Sequence, residues 1–224
     1  VAMLRNWENV PSMPDLVDMR VIGLLCSHLC HELVNPLGAV NNGIELLLDV
    51  GDDMRDDAMS LIESSAQRAT RRVEFYRMAY GMAGTNAIGD LAEARRLTDG
   101  LLAEGRLSLE WPDTDRNPAL QPGWGRMLLN LAAVAAESMP RGGVLILSVD
   151  VAGKSAHFRA VARGDRARLE ESVRSVLLGD VAVEELTPRS VHSYFTVKLA
   201  ESLGGRIKVS EDAETEVRFD LHLA

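Results

Sequence analysis

The chain has 224 residues, 46% of them apolar, which suffices for packed cores in one large domain or two smaller ones. Its 33 acidic residues outnumber 24 basic ones and are scattered, giving a formal net charge of −9 that points away from a nucleic-acid partner. No run approaches the roughly 20 uninterrupted apolar residues of a membrane helix, and Val1-Ala2-Met3-Leu4-Arg5 lacks a signal-peptide pattern, so no membrane partner is expected and the expected location is the cytoplasm.

Residues 1 to 12 show no clear period. Ser12-Met13-Pro14-Asp15 then carries helix-start signals, with Pro in a first-turn position and an acid beside the helix N-terminus, and a helix is predicted to about Val50. Pro36 inside it removes one backbone donor, so a bend is expected near Glu32 to Asn35. Gly51 with Asp52 and Asp53 ends the helix. A second helix, from about Met54 to Tyr80, keeps Ala58, Leu61, Ile62, Ser65, Ala69, Val73, Tyr76 and Tyr80 in period, with Arg68, Arg71, Arg72 and Glu74 largely off it. A lone hairpin of helices cannot cover its own apolar stripe. Two copies packed as a four-helix bundle can, which predicts a homodimer through this region.

Gly81 to Gly89 breaks the period and sets the domain boundary, giving a helical hairpin over 12–83 and a second domain over 88–224. Asp90 caps a helix to about Glu104, and Arg106 to Trp111 alternates as a strand before Pro112 to Pro122 loops out. Gly123 to Met139 is helical. Val144 to Val151 and Ala156 to Ala162 form a hairpin about Gly153-Lys154, followed by helices near Arg166 to Leu178 and Arg189 to Leu203. Arg206 to Ser210 and Glu216 to Leu223 close the sheet. Helices alternating with antiparallel strands predict a two-layer α/β sandwich.

The first helix carries the chemistry. At about 100° per residue, Ile22, Cys26, Leu29, Cys30, Leu33, Leu37, Val40, Ile44, Leu47 and Leu48 share one stripe, a core-facing seam. His31, Asn35, Gly38 and Asn42 lie on the opposite side, so His31 points away from the packing face. Imidazole, with an ordinary pKa of about 6.5, keeps a neutral nucleophilic fraction at cellular pH. Cys26 and Cys30, four apart on the seam, read as small buried apolar residues suited to a reducing compartment. Cys26, His28, Cys30 and His31 cannot converge on one ion, because His28 lies about 160° from Cys30 on the same helix.

His31-Glu32-Leu33-Val34-Asn35-Pro36-Leu37 resembles the phosphoacceptor motif of sensor histidine kinases, and seven ordered positions make the match specific. With Leu25 to His31, Asn41 to Leu47 and Tyr76-Arg77-Met78-Ala79-Tyr80-Gly81 around it, the hairpin is similar to the ChpT-type bacterial histidine phosphotransferases, which are dimeric phosphorelay proteins. The resemblance implies a dimeric four-helix bundle followed by a degenerate histidine-kinase ATPase-like α/β sandwich. Three boxes carry the degeneracy. Val134 stands where such a kinase has its magnesium-binding asparagine, and an aliphatic group cannot coordinate a hard cation. Arg163-Gly164-Asp165-Arg166-Ala167-Arg168 replaces the Asp-x-Gly-x-Gly adenine loop, and Pro188-Arg189-Ser190-Val191-His192-Ser193 lacks the glycines of a phosphate loop.

By this resemblance His31 is the phosphoacceptor that relays a phosphoryl group between response-regulator receiver aspartates, that of a hybrid histidine kinase included, without ATP. Mg2+ is then supplied by the partner receiver, and the chain itself binds no cofactor and no metal. Glu32 is placed to steer the imidazole proton. Asn35 either orients a water or the phosphoryl oxygens, or hydrogen-bonds backbone freed by Pro36. Glu32-x-x-Asn35 also resembles a receiver-phosphatase motif. An ATP-dependent kinase of the same fold and an unphosphorylated scaffold or kinase inhibitor are the competing readings. His28 and Asn42 are expected to be solvated, His157, His192 and His222 ordinary structural histidines, Asn130 a helix-face remnant, and Arg163, Arg166 and Arg168 part of a solvated loop.

Overall fold

The computed structural model describes residues 18–49, 54–81, 89–103, 105–111, 118–179, 181–212 and 215–224. The leader, the start signals at 12–15, the turn at Gly51 to Asp53, most of the glycine-rich boundary and residues 112–117 of the long loop lie outside them. The elements in chain order are α1 (Met19–Asp49), α2 (Arg55–Tyr80), α3 (Leu91–Leu102), β1 (Leu107–Glu110), α4 (Trp124–Glu137), β2 (Gly143–Ala152) and β3 (Ser155–Arg163). They continue with α5 (Glu171–Leu178), a 3-10 turn at Val183–Glu185, α6 (Val191–Ser202), β4 (Arg206–Asp212) and β5 (Glu216–Leu223).

α1 and α2 form the expected hairpin. Close approach is fixed at Gly43, where a Cβ would sit 2.6 Å from Ile62 Cγ1 and 3.3 Å from the Ala58 carbonyl, so only glycine lets the helices meet there. Pro36 stays inside a continuous α1. The predicted seam is split by this geometry. Leu29, Leu33, Val40 and Leu47 are half-buried, while Ile22, Cys26, Cys30, Leu37, Ile44 and Leu48 are exposed, because α2 covers only one edge of the stripe.

The sheet runs β1-β2-β3-β5-β4. Period-2 alternation turns Leu145, Leu147 and Val149 of β2, Phe158, Ala160 and Ala162 of β3, and Val217, Phe219, Leu221 and Leu223 of β5 inward. α3, α4 and α6 cover that face. α4 is buried from Met127 to Ala135, which explains its nearly unbroken apolar sequence. Two expectations are corrected. β1 pairs with β2 in parallel, not antiparallel, since α4 carries the chain back to the same end of the sheet. The helix expected from Arg166 starts only at Glu171, because Arg166 adopts φ 57° and Glu170 is extended.

The hairpin is clamped to the second domain. Phe75, Tyr76 and Ala79 belong to the same hydrophobic cluster as Leu91, Leu97 and Met127. The Ala79 carbonyl, one of the four that the end of α2 leaves without helical donors, accepts from Arg126 Nε (3.1 Å) and Asn130 Nδ2 (2.8 Å). Arg20 of α1 donates to the Val183 carbonyl (3.1 Å) and the Leu186 carbonyl (3.0 Å). Among the described residues no helix is long and apolar enough to cross a membrane.

Candidate functional site

His31 lies on the exposed flank of α1 and makes no hydrogen bond or ion pair among the described residues. A rigid helix with α2 packed along it holds the imidazole outward, as the wheel predicted. It stands at the edge of a cleft of about 900 Å³ between the hairpin and the second domain. Ser27, His28 and Glu32 share its wall, with Arg72 and Tyr76 from α2; Val134 and Glu137 of α4 and Pro188-Arg189 form the far side.

Glu32 does not reach back to His31. Its carboxylate is ion-paired with the Arg72 guanidinium across the hairpin, and the Tyr76 hydroxyl donates to the same oxygen at 3.4 Å. Burial, followed by the neighbouring Glu32 and Glu137 carboxylates, pushes the Tyr76 phenol well above its ordinary range, so it is a donor at any physiological pH. Asn35 is exposed, and no side-chain hydrogen bond of it is found among the described residues, so the backbone-bonding alternative is not seen here. Gly38, half-buried, and exposed Asn42 continue the same flank.

His28 is a correction. The wheel put it on the polar side and so in solvent, yet it is 8% exposed. The wheel describes one helix, and the second domain folds back over this flank. The His28 ring packs edge-on against Tyr76 (5.9 Å) and Tyr80 (6.5 Å) and lies 5.4 Å from His192. Burial and the adjacent His192 hold its pKa below the ordinary value. His192 is fully buried, its Nδ1 2.9 Å from Glu137 Oε1 and its Nε2 3.2 Å from Asn130 Oδ1. Asn130 is therefore no remnant; it ties α2, α4 and α6 together. His157 and His222 are structural, as expected, stacked at 4.0 Å across β3 and β5.

Part of the cleft wall is apolar where a magnesium nucleotide would need oxygen ligands. Val134, 1% exposed, offers no oxygen ligand where the metal-binding asparagine is needed. Ala133 and Ala136 beside it add only apolar surface, and the backbone at Pro188 cannot offer an amide.

Sequence reading missed Arg72, Tyr76 and Glu137 as parts of this wall. Arg72 and Tyr76 are four apart, one turn on a common face, and that spacing was the available signal. Nothing local joins Glu137 to α1.

A helical hairpin thus presents an exposed histidine beside an α/β sandwich, an arrangement suited to histidine phosphotransfer. The family model described as histidine phosphotransferase C-terminal domain matches residues 91–215. The chain is 32% identical over 192 residues to Protein phosphotransferase ChpT of Brucella abortus (strain 2308), covering 85% of this chain and 90% of that one. It also superposes on a solved structure of a bacterial phosphotransferase with a TM-score of 0.81 and 29% identity, over 93% of this chain and 98% of that one. The chain belongs to the histidine phosphotransferase family.

Proposed function

We propose that His31 accepts a phosphoryl group from the aspartyl phosphate of one response-regulator receiver, that of a hybrid histidine kinase included, and returns it to the aspartate of another. The observation that carries this is the placement of His31, exposed and without a partner among the described residues at the mouth of the interdomain cleft. Nε2 attacks phosphorus in line. The N–P bond forms as the P–O bond to the aspartate breaks, the carboxylate leaves with the electron pair, and the ring proton passes to solvent. The reverse sequence discharges the histidine. Mg2+ belongs to the receiver, and the transfer itself draws on no nucleotide held by this chain.

Glu32 acts from a fixed position, held by Arg72 and Tyr76, as a negative charge next to the acceptor, and Asn35 one turn on is free to meet phosphoryl oxygens. The working form is a homodimer. Of the eleven large apolar side chains exposed among the described residues, ten lie on α1, α2 or the residue before α2, among them Ile22, Leu37, Ile44, Leu48 and Leu61. Such a concentration marks an interface. The second domain serves to recognise the receiver across the cleft, in the cytoplasm.

The test is transfer between two purified receivers. His31→Ala abolishes the relay while the fold is retained; undiminished transfer in that variant overturns the proposal.

A further inference from the structure

We propose that His28, Glu137 and His192 form a binding site for a divalent transition-metal ion of the zinc class, one that ties the hairpin to the second domain one helical turn before His31. The three side chains come from α1, α4 and α6, and one ligand atom from each lies within 4.8 Å of the others. Tetrahedral coordination needs donor atoms about 3.4 Å apart, for bonds of about 2.1 Å, so shifts of about 1 Å at the ends of these side chains close the set.

The hydrogen bonds around the cluster call for a cation. Asn130 Nδ2 donates to the Ala79 and Arg126 carbonyls, each at 2.8 Å, which turns its Oδ1 toward His192 Nε2. An amide oxygen only accepts, so Nε2 carries the hydrogen. The Nδ1 of the neutral ring then presents a lone pair to Glu137 Oε1 at 2.9 Å, an acceptor against an acceptor. A proton between them would relieve that pair. It would do nothing for His28, whose Nε2 is buried in the same place with no hydrogen-bond partner among the described residues. A metal ion satisfies all three at once.

Two imidazoles and one carboxylate suit zinc, and the bond from Asn130 fixes the His192 tautomer as an outer partner of a ligand does. His28 and Glu137 both line the cleft that holds His31, so the fourth coordination position opens on that cleft. The sequence excluded an ion shared by Cys26, His28, Cys30 and His31. The fold gives His28 different companions. Bound there, the ion fixes the angle between the hairpin and the second domain and hence the width of the cleft.

The experiment uses the full chain, stripped of metal and without an affinity tag, in a Cys26→Ser, Cys30→Ser background, because both exposed thiols would bind zinc on their own account. Zn2+ is titrated by calorimetry and Co2+ by visible absorption. The expected result is one ion per chain at micromolar affinity or tighter, a Zn2+-dependent rise in thermal midpoint, and a loss of at least tenfold in affinity for His28→Ala and for Glu137→Gln. His31→Ala binds as the parent does. Glu137 is partly exposed and the Gln is isosteric, so this variant keeps the test open if His28→Ala fails to fold. Absence of stoichiometric binding, equal affinity in Glu137→Gln, or loss on replacing His31 would each overturn the site. None of these results depends on phosphotransfer.

Discussion

The two halves of the molecule close their cores differently. The second domain completes its own, with Phe158, Phe219, Leu145, Leu147, Leu129 and Leu131 all at 0% exposure between sheet and helices. The hairpin buries small groups against itself, Gly43, Ala58 and Ser65, and larger ones such as Phe75 only where the second domain meets it. Its remaining apolar stripe faces outward. A domain whose sheet and helices close most of its core suits a rigid recognition surface, whereas a hairpin with an open stripe suits the proposed pairing with another copy, and exposed His31 stands on the flank that neither use would cover.

The largest effect is expected in the closed half. Phe219→Ala removes a fully buried ring and leaves a cavity, costing about 3–5 kcal/mol, read as a shift in the urea midpoint. Leu37→Glu in the open half leaves the unfolding of the second domain intact and converts dimer to monomer in sedimentation velocity; an unaltered dimer would sever the exposed stripe from assembly. Next comes the ion pair beside the acceptor. Glu32→Gln or Arg72→Ala slows relay between receivers by about tenfold, the rate equivalent of about 1.4 kcal/mol, without changing the oligomeric state.

The smallest effect is a pH dependence confined to the second domain. Burial alone would raise the Asp220 carboxyl, but Arg159 and His157 outweigh it and hold the group below its ordinary value. A depressed carboxylate adds stability above its unfolded pKa of about 3.9, and that stability is lost as pH falls through the lower folded value. For a partly exposed group the contribution is under about 1 kcal/mol. Arg159→Ala should therefore lower neutral stability by up to that small amount, leave the stability at the acid extreme nearly unchanged, and so flatten the acid limb of the profile below about pH 4. An unchanged acid limb would show that the pair contributes nothing.

Most of the architecture was legible because it is written in local periods. The alternation at Val144 to Val151 and Glu216 to Leu223, the Asp90 cap that accepts from the Glu93 amide at 2.9 Å, and the glycine turn at 153 each act within a few residues. The outward placement of His31 was legible for the same reason, one wheel on one helix. What could not be read lay between elements. A wheel for α1 has no knowledge that α6 returns over His28, so a residue on the polar side became a buried one. The parallel pairing of β1 and the bonds from Asn130 and Arg126 to the Ala79 carbonyl depend on crossovers that no periodicity encodes. Arg72 lies off the apolar stripe, so the period of α2 assigns it no contact, and only the facing position of Glu32 across the hairpin gives it one.

Mapping the phosphoryl group measures the central claim most directly. After exposure to a phosphorylated receiver, peptides are separated at neutral to alkaline pH and sequenced by mass spectrometry. The acid-labile modification is expected on His31 and absent from His28, three residues earlier and buried beneath Tyr76 and Tyr80. Phosphate on His28, or none on α1 while transfer between receivers continues, would contradict the account.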